Sequence, residues 1–433
     1  MTLLDERKQL GLPEEISVLI PEARRHSRLR RLLTAALVAA VAATGAAVVT
    51  AMRSGHETPP TTPRAHVAKA RPPAPVALGT VLAPSSVTAL SMLTPSAGFA
   101  VSTTQWNHTT GDPQDNYLTF TSDEGKDWRV VGRLPSLLLG PEIVFTSTRV
   151  GYVVSLNRAH LLFVTTDGGR TWRRAGVVGV PISLSSFGNS VWVMSQVCAP
   201  DDGGNSTFCP TTLSVFSSGS SAPSQVAVVP TPASFERYEK AQTAHIPPTF
   251  AAHLLAQFGP SSGLASEGLD GGQILMETTT AGHTWRAVST PCSEKEFELN
   301  VRAVTPNEWL LACFWDYGMG HGVNEIYRTT SAGASWTKIA GGTGTPTAII
   351  GSNATGTTLW TIDSMGYLEV STSGGAWRAT KVVNGQELAD AAAYVGSLDF
   401  VGNAAYGVLP SGLPSHGLLR TLNGVDWNYL GHH

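Results

Sequence analysis

The chain of 433 residues has few charged side chains and only four cysteines. Charged residues make up 14% of the sequence, whereas a typical soluble domain has about a quarter. Glycine and proline are abundant, at 44 and 27 residues. This composition favours many turns and few helices.

Several signatures of catalysis are absent from the sequence. It contains no C-x-x-C pair, no nucleophile elbow, no phosphate-binding glycine loop and no metalloprotease signature. The sequence therefore offers little support for a zinc or redox site, and we predict no metal, no cofactor and no catalytic residue.

Net charge differs between the two ends of the chain. Residues 1–77 contain 11 Lys/Arg and 6 Asp/Glu, whereas residues 78–433 contain 18 and 26. The large second part is therefore acidic. Because attraction to phosphates needs clustered Lys and Arg, we predict no nucleic-acid partner.

A short phrase recurs along the acidic part: Ser/Thr, any residue, Asp, any residue, Gly, any residue, Thr, Trp. Full-length copies occupy 121–128, 165–172, 278–285 and 329–336, and copies shortened by one residue occupy 371–377 and 421–427. The residues predicted to build these turns are Asp123, Gly125, Trp128, Asp167, Gly169, Trp172, Gly282, Trp285, Gly333, Trp336, Trp377 and Trp427.

Each copy lies between two β-rich stretches, which predicts a hairpin turn. The Asp can accept hydrogen bonds from backbone N–H groups within the turn, and the Gly permits a positive φ. The Trp offers a large apolar surface that can pack between neighbouring sheets. In two copies Thr280 or Ser331 replaces the acid and supplies a weaker acceptor. The phrase therefore predicts a structural role.

The phrase resembles the Asp-box, or BNR repeat, of sialidases, sortilin-type receptors and the photosystem II stability/assembly factor family. The resemblance covers roughly residues 80–433. It implies a β-propeller in which each box is a turn between the third and fourth strands of a blade, at the rim and away from the central binding face.

The tryptophans that end the copies are separated by 44, 113, 51, 41 and 50 residues. The long step predicts one blade without a readable phrase, near 191–195 and 212–216, so the predicted fold class is an all-β, seven-bladed β-propeller. β-like runs before the copies are expected to form inner strands; they are 150–155, 309–313, 358–362 and 405–409. An insertion is expected to hold short helices at 236–243 and 250–257.

The first 77 residues predict a membrane attachment. Leu32–Met52 is 21 residues long without a charge, and five arginines precede it closely. We interpret it as a transmembrane helix, with a cleaved signal peptide as the alternative. The predicted domains are a cytoplasmic tail (1–31), the transmembrane anchor (32–52), a disordered Pro-rich linker (53–77) and the propeller (78–433). The positive-inside rule places the propeller outside the cytoplasm of a single-pass protein.

All four cysteines follow the predicted anchor, which favours disulfides. Proximity in the chain favours the pairs Cys198–Cys209 and Cys292–Cys313, although four cysteines allow three pairings.

The segment 314–325 is the most suggestive candidate for ligand binding. It mixes aromatic, acidic and imidazole side chains with glycine, and such a loop can stack on a sugar or a peptide ring. The predicted ligand-binding residues are Trp315, Asp316, Tyr317, His321 and Glu325. The alternative is a long hairpin loop with ordinary polar residues. A metal site formed by Asp316, His321 and Glu325 is not supported by any ligand spacing.

Two functions remain open at this point. The first is a non-catalytic binding or assembly module for a protein or a cell-envelope glycan. The alternative is a diverged sialidase-like glycoside hydrolase. The sialidase resemblance would imply an arginine triad, but the Arg-Ile-Pro signature is absent and no arginine lies between Arg71 and Thr121.

Overall fold

The computed structural model describes most of the chain beyond residue 75. The described ranges are 76–106, 113–135, 142–154, 161–197, 210–230, 251–269, 272–292, 298–316, 322–344, 347–352, 358–363, 368–372, 378–379, 382–383, 397–409, 417–423 and 426–430. They belong to one structural unit, Ala74–His433. The predicted tail, the predicted anchor and residues 53–75 of the predicted linker lie outside these ranges, so the predicted domain boundaries stay a prediction.

The described strands form seven sheets, numbered here in chain order. Sheet 1 contains β1 (Val81–Leu82), β2 (Val87–Met92), β3 (Gly98–Trp106), β4 (Pro113–Thr121) and β5 (Trp128–Arg133), with a short 3-10 helix (Pro84–Ser86) between β1 and β2. Sheet 2 contains β6 (Glu142–Phe145), β7 (Gly151–Val154), β8 (Leu162–Thr165) and β9 (Arg173–Ala175). Sheet 3 contains β10 (Val180–Phe187), β11 (Ser190–Gln196), β12 (Thr211–Ser217) and β13 (Gln225–Val228).

The remaining strands form sheets 4 to 7. Sheet 4 contains β14 (Ala251–Gln257), β15 (Gly263–Leu269), β16 (Gly272–Thr278) and β17 (Arg286–Val288). Sheet 5 contains β18 (Glu298–Ala303), β19 (Trp309–Asp316), β20 (Gly322–Thr329) and β21 (Thr337–Gly344). Sheet 6 contains β22 (Thr347–Ser352), β23 (Thr358–Asp363), β24 (Leu368–Thr372) and β25 (Arg378–Ala379). Sheet 7 contains β26 (Val382–Val383), β27 (Ser397–Val401), β28 (Ala404–Leu409), β29 (Gly417–Thr421) and β30 (Trp427–Tyr429).

The sheets are antiparallel meanders arranged as a closed ring. In sheets 2 to 6 the strands pair in chain order, whereas β1 adds to the outer edge of sheet 1 and β26 pairs in parallel with the outer edge of sheet 7. The first meander strand of each sheet contacts the first meander strand of the next, and β27 of sheet 7 contacts β2 of sheet 1. These seven strands are therefore innermost, and the sheets radiate from them as propeller blades.

The fold class predicted from the sequence requires a correction in its helical part. It joined the propeller to an N-terminal transmembrane helix and a disordered linker. Within the part of the chain that the structure describes, no helix is long and apolar enough to span a membrane. The fold described here is an all-β propeller, and the span Leu32–Met52 lies outside it.

The step of 113 residues between two copies of the phrase contains sheet 3. Strands predicted near 191–195 and 212–216 are confirmed as parts of β11 and β12. The helix expected at 250–257 is wrong, because Ala251–Gln257 forms β14, which pairs along its length with β15. Pairing with a neighbouring strand outweighs the local preference of the alanines and leucines in this segment. The helix expected at 236–243 lies outside the described residues.

The runs predicted as inner strands are second strands. Residues of β7, β19, β23 and β28 occupy them, and each of these strands is one place further from the axis than its sheet's first strand. Second strands are buried on both faces by the neighbouring sheets, so their apolar runs are continuous. Large side chains fill these positions and are fully buried: Tyr152, Trp192, Trp309, Trp360 and Tyr406.

Candidate functional site

The recurring phrase folds into one turn geometry, called here the repeat turn. In sheet 2 the Thr165 hydroxyl donates to Asp167 Oδ1 at 2.8 Å and accepts the Gly169 N–H at 2.9 Å. The Asp167 carboxylate also accepts the Thr171 N–H at 3.0 Å and the Thr171 hydroxyl at 2.6 Å. The first threonine of the phrase, which the sequence analysis did not select, is thus as central as the acid.

Hydroxyl side chains reproduce this geometry where the acid is missing. Thr280 Oγ1 accepts the Thr284 N–H at 2.8 Å, and Ser331 Oγ accepts the Ser335 N–H at 3.0 Å. The first threonine still accepts the glycine N–H in both turns. The Asp167 version is the most strongly bonded: burial raises the pKa of Asp167, but hydrogen bonds from Thr171 and Thr165 outweigh it and lower the pKa to about 2. The pKa of Asp123 in sheet 1 is lowered in the same way.

The glycine of each repeat turn packs against the preceding sheet. Gly169 has a φ of +85°, and a Cβ there would lie 1.9 Å from Leu118 Cδ2 of sheet 1. Gly125 of sheet 1 likewise approaches Leu418 and Tyr406 of sheet 7. The turns therefore join neighbouring sheets as well as neighbouring strands, and Gly282 and Gly333 make the same kind of approach.

The tryptophans that end the phrase lie at the outer strands. Trp128 and Trp427 are fully buried, whereas Trp172, Trp285 and Trp336 are partly buried. The indole N–H of Trp336 donates to the Ser289 carbonyl of the segment after sheet 4 at 2.9 Å. Trp377 lies outside the described residues. These positions agree with a structural role for the phrase.

The predicted ligand-binding segment is the hairpin between β19 and β20. Trp315 and Asp316 end β19 and pair with Val323 and Gly322, so the strands extend further into the segment than a free loop would allow. Tyr317 and His321 lie outside the described residues. Because β20 runs from this hairpin to the repeat turn of sheet 5, the two lie at opposite ends of the sheet.

Glu325 is the one member of the predicted set whose side-chain contacts are described. Its carboxylate accepts a hydrogen bond from the Tyr327 hydroxyl at 2.6 Å and one from Lys338 Nζ at 2.7 Å. The Lys338 hydrogen bond, with that from Tyr327, lowers the pKa of Glu325. Burial and the Glu325 carboxylate raise the pKa of Tyr327 to about 12.

This Tyr–Glu contact does not resemble an activated nucleophile. A nucleophilic tyrosine needs a neighbouring base that takes its proton, but here the pKa of the phenol is raised and that of the carboxyl is lowered. Lys338 holds the same carboxylate from the outer strand β21. The described contacts of Glu325 therefore join neighbouring strands of sheet 5, and its role in ligand binding stays a prediction.

The predicted disulfide Cys292–Cys313 is confirmed, with Cα atoms 5.6 Å apart. It joins the segment that follows β17 of sheet 4 to the buried second strand β19 of sheet 5. The other predicted pair, Cys198–Cys209, lies outside the described residues.

A pocket of about 340 Å³ lies between sheets 1 and 2, at the end of the propeller that carries the repeat turns. Its apolar part consists of Phe99, Phe120 and Val131 of sheet 1, and its polar part is formed by Thr148, Arg149, Asp167, Gly168 and Arg170 of sheet 2. The rings of Phe99 and Phe120 lie 4.9 Å apart at 56°. The Gly168 N–H donates to the Arg149 carbonyl at 2.8 Å, which joins the two turns that supply the polar part.

The sequence analysis missed this pocket, and it lies at the end opposite to the β19–β20 hairpin. Arg149 and Arg170 are solvent-exposed, and no carboxylate among the described residues pairs with either guanidinium. Asp167, the one acid in the pocket wall, is already bonded within its own turn. The pocket wall therefore carries two positive charges and one negative charge beside an apolar floor.

Comparisons with known proteins give a fold but no family. No family model matches the chain, and no curated protein matches it. The assignment of the phrase to the Asp-box family thus stays a prediction.

Solved structures similar to this chain include proteins of varied activity. The structure of YCF48 bound to D1 peptide has 13% identity and a TM-score of 0.49, covering 80% of this chain and 97% of that chain. An acylaminoacyl peptidase has 8% identity and a TM-score of 0.50, covering 82% of this chain and 52% of the peptidase. A GH74 xyloglucanase from Xanthomonas campestris has 11% identity and a TM-score of 0.32, covering 79% and 72%. At such identities the similarity concerns the fold alone.

Proposed function

We propose that this protein is a non-catalytic binding or assembly module that takes a protein or a cell-envelope glycan as its ligand. The observation that carries the proposal is the pocket between sheets 1 and 2, where Arg149 and Arg170 lie beside the apolar floor. The pocket joins an apolar part to a few convergent polar groups, a combination that many binding sites share.

We do not propose the glycoside hydrolase as a second function. Glycosidases of most families place two carboxyl groups on either side of the scissile bond. The acid in the pocket wall, Asp167, is held by Thr165 and Thr171. Its pKa of about 2 is the reverse of what a general acid needs.

We further propose that the propeller works outside the cytoplasm and is attached to the membrane through Leu32–Met52. The disulfide Cys292–Cys313 supports an oxidising compartment. The uncharged run and the arginines before it support the attachment and its orientation.

The test is capture from a cell-envelope extract with immobilised full-length protein. The wild type, the double variant Arg149→Ala/Arg170→Ala and the control Arg174→Ala are compared after their thermal unfolding curves have been shown to agree. Arg174 is exposed on β9 but does not line the pocket. We expect the double variant to lose a component that the wild type and the control both retain. Identical capture by all three would remove the pocket as the binding site.

A further inference from the structure

Four described junctions between neighbouring sheets share one kind of hydrogen bond, in which a side chain of one sheet donates to a turn carbonyl of the next. The described residues of the junction between sheets 1 and 2 lack it. In the repeat turns of sheets 1, 4 and 5, a side chain of the preceding sheet donates to the carbonyl of the fourth residue. Arg420 Nη1 of sheet 7 donates to the Glu124 carbonyl at 3.0 Å, and Arg286 Nη2 of sheet 4 donates to the Ala332 carbonyl at 3.1 Å.

The junctions on either side of sheet 3 follow the same rule. Gln225 of sheet 3 donates to the Ala281 carbonyl of the repeat turn in sheet 4. Arg173 of sheet 2 donates at 2.6 Å to the carbonyl of Gly219, in the turn that replaces the repeat turn of sheet 3. Four described junctions are thus closed by a side-chain donor.

The junction between sheets 1 and 2 lacks this donor. The equivalent carbonyl belongs to Gly168, and no side chain of the described part of the chain donates to it. Arg129, which follows Trp128 as Arg173 follows Trp172, lies near Asp127 of its own turn at 3.6 Å. Phe120 occupies the position that Arg420 has in sheet 7, directly before the first threonine of the phrase. Neither Arg129 nor Phe120 donates to the Gly168 carbonyl, and the pocket lies at this junction.

The open junction presents three kinds of recognition together. The Gly168 carbonyl can accept one hydrogen bond, the guanidinium groups of Arg149 and Arg170 can bind an anion, and Phe120 with Val131 can cover an apolar side chain. Guanidinium groups bind carboxylates with paired hydrogen bonds. A peptide offers all three complements within two adjacent residues: a backbone N–H, a carboxylate and an apolar side chain.

We propose that the pocket between sheets 1 and 2 binds a short peptide segment in which a carboxylate neighbours an apolar side chain. This inference rests on the proposed binding function and specifies its ligand. The pocket volume of about 340 Å³ accommodates one or two side chains of such a segment. A glycan fits less well, because the two phenyl rings are tilted by 56° and Phe99 is buried, so that no flat, open ring face is offered to a sugar.

The experiment measures fluorescence polarisation of labelled peptide probes with the full-length protein. The first probe is a hexapeptide of alternating leucine and glutamate, the second replaces each glutamate by glutamine, and the third is a labelled sulfated oligosaccharide. We expect the acidic peptide to bind about tenfold more tightly than its glutamine counterpart. Raising NaCl from about 0.05 M to about 0.5 M should weaken binding, because the guanidinium groups are exposed.

Variants connect the binding to the pocket. Arg149→Ala/Arg170→Ala should weaken the acidic peptide about tenfold, whereas Arg174→Ala should leave its affinity unchanged. Phe120→Arg places at this junction the side chain that closes the junction between sheets 7 and 1, so it should abolish peptide binding while the protein remains folded. Thermal unfolding of each variant verifies the fold.

The outcomes separate this inference from the proposed function. Equal affinity for both peptides, or tighter binding of the sulfated oligosaccharide, would overturn the peptide carboxylate as ligand. If no peptide binds but the double variant still loses a component of the envelope extract, the proposed binding function is supported and the acidic peptide is rejected as the ligand. If neither assay responds to the pocket variants, both proposals fail.

Discussion

The junction between sheets 7 and 1 and the junction between sheets 1 and 2 share one backbone design but differ in what fills them. At the first, Arg420 is 8% exposed and bonds both the Glu124 carbonyl and its carboxylate, at 3.0 and 2.9 Å. At the second, Phe120 occupies the equivalent position and the carbonyl of Gly168 receives no described side chain. The residue before the repeat turn thus differs between these two junctions, one closed by a side-chain donor and the other containing a pocket.

The comparison shows where this ring can vary without losing its closure. The glycine contacts are kept at both junctions: Gly125 approaches Leu418 in one, and Gly169 approaches Leu118 in the other. Backbone docking therefore holds the sheets together at both places, and the side-chain donor is an addition. One junction lacks that addition among its described residues and contains a pocket.

The largest effect should come from breaking the shared backbone docking. Gly169→Ala would place a Cβ 1.9 Å from Leu118 Cδ2, at a φ of +85°. Because both overpacking and backbone strain oppose this change, we expect the free energy of unfolding to fall by roughly 3 to 5 kcal/mol. Chemical denaturation measures it.

Gly188→Ala is the matched control for this substitution. Gly188 also has a positive φ, of +57°, but a Cβ there would meet nothing within 4 Å. Only the backbone cost of about 1 kcal/mol should remain. Equal losses in the two variants would show that docking of the turn on sheet 1 contributes little.

A smaller loss is expected when the closed seam loses its donor. Arg420→Met keeps the length of the side chain but removes both bonds to Glu124, so we expect a loss of roughly 2 to 3 kcal/mol in the free energy of unfolding. Glu124→Gln keeps the carbonyl bond and should cost less than about 1 kcal/mol. If Arg420→Met is as stable as the wild type, the seam does not depend on this residue and the comparison with Phe120 loses its meaning.

The smallest effect concerns pH at the innermost strands. Glu142 Oε2 of β6 accepts the Leu184 N–H of β10 at 2.9 Å, and burial raises the pKa of Glu142 to about 7 from its ordinary 4.5. Between pH 4.5 and about 7, the folded protein therefore keeps on Glu142 a proton that the unfolded chain has released. Stability from this group is therefore present below pH 4.5 and is lost as the pH rises through 7.

Glu142→Gln removes this titration and keeps an oxygen acceptor for Leu184. We expect the variant to match the wild type near pH 4 and to exceed it by roughly 1 to 2 kcal/mol near pH 8, below the full value of the shift because the carboxyl is partly exposed. Denaturation curves across this range measure the difference. A constant difference at every pH would contradict the assignment to Glu142.

The sequence predicted the local parts of the fold well. A repeat turn is built from eight consecutive residues, so Thr165, Asp167 and Gly169 can be recognised together without any knowledge of the ring. The run 309–313 was predicted as the innermost strand of its sheet, but it is the second strand. Burial on both faces does not reveal which strand borders the axis. The 251–257 segment was misjudged because its partner β15 decides its conformation.

The candidate site could not be predicted from any single segment of the sequence, because residues of two sheets line it. Phe120 and Arg170 are 50 residues apart, and they meet only because the repeat turn of sheet 2 docks on sheet 1. No single position of the sequence marks it. Aligning the copies places Phe120 in a column with Glu277, Arg328 and Arg420, but Val164 and Val370 occupy the same column in two other copies.

The seam between sheets 7 and 1 also has a consequence for how the chain is made. Arg420 and Glu124 are 296 residues apart, so their contact requires almost the whole propeller to have left the ribosome. Until then the side of sheet 1 that packs against Tyr406 and Leu418 of sheet 7 has no neighbour. Contacts between such distant residues form slowly, and the growing chain consequently carries an unprotected apolar surface for most of its synthesis.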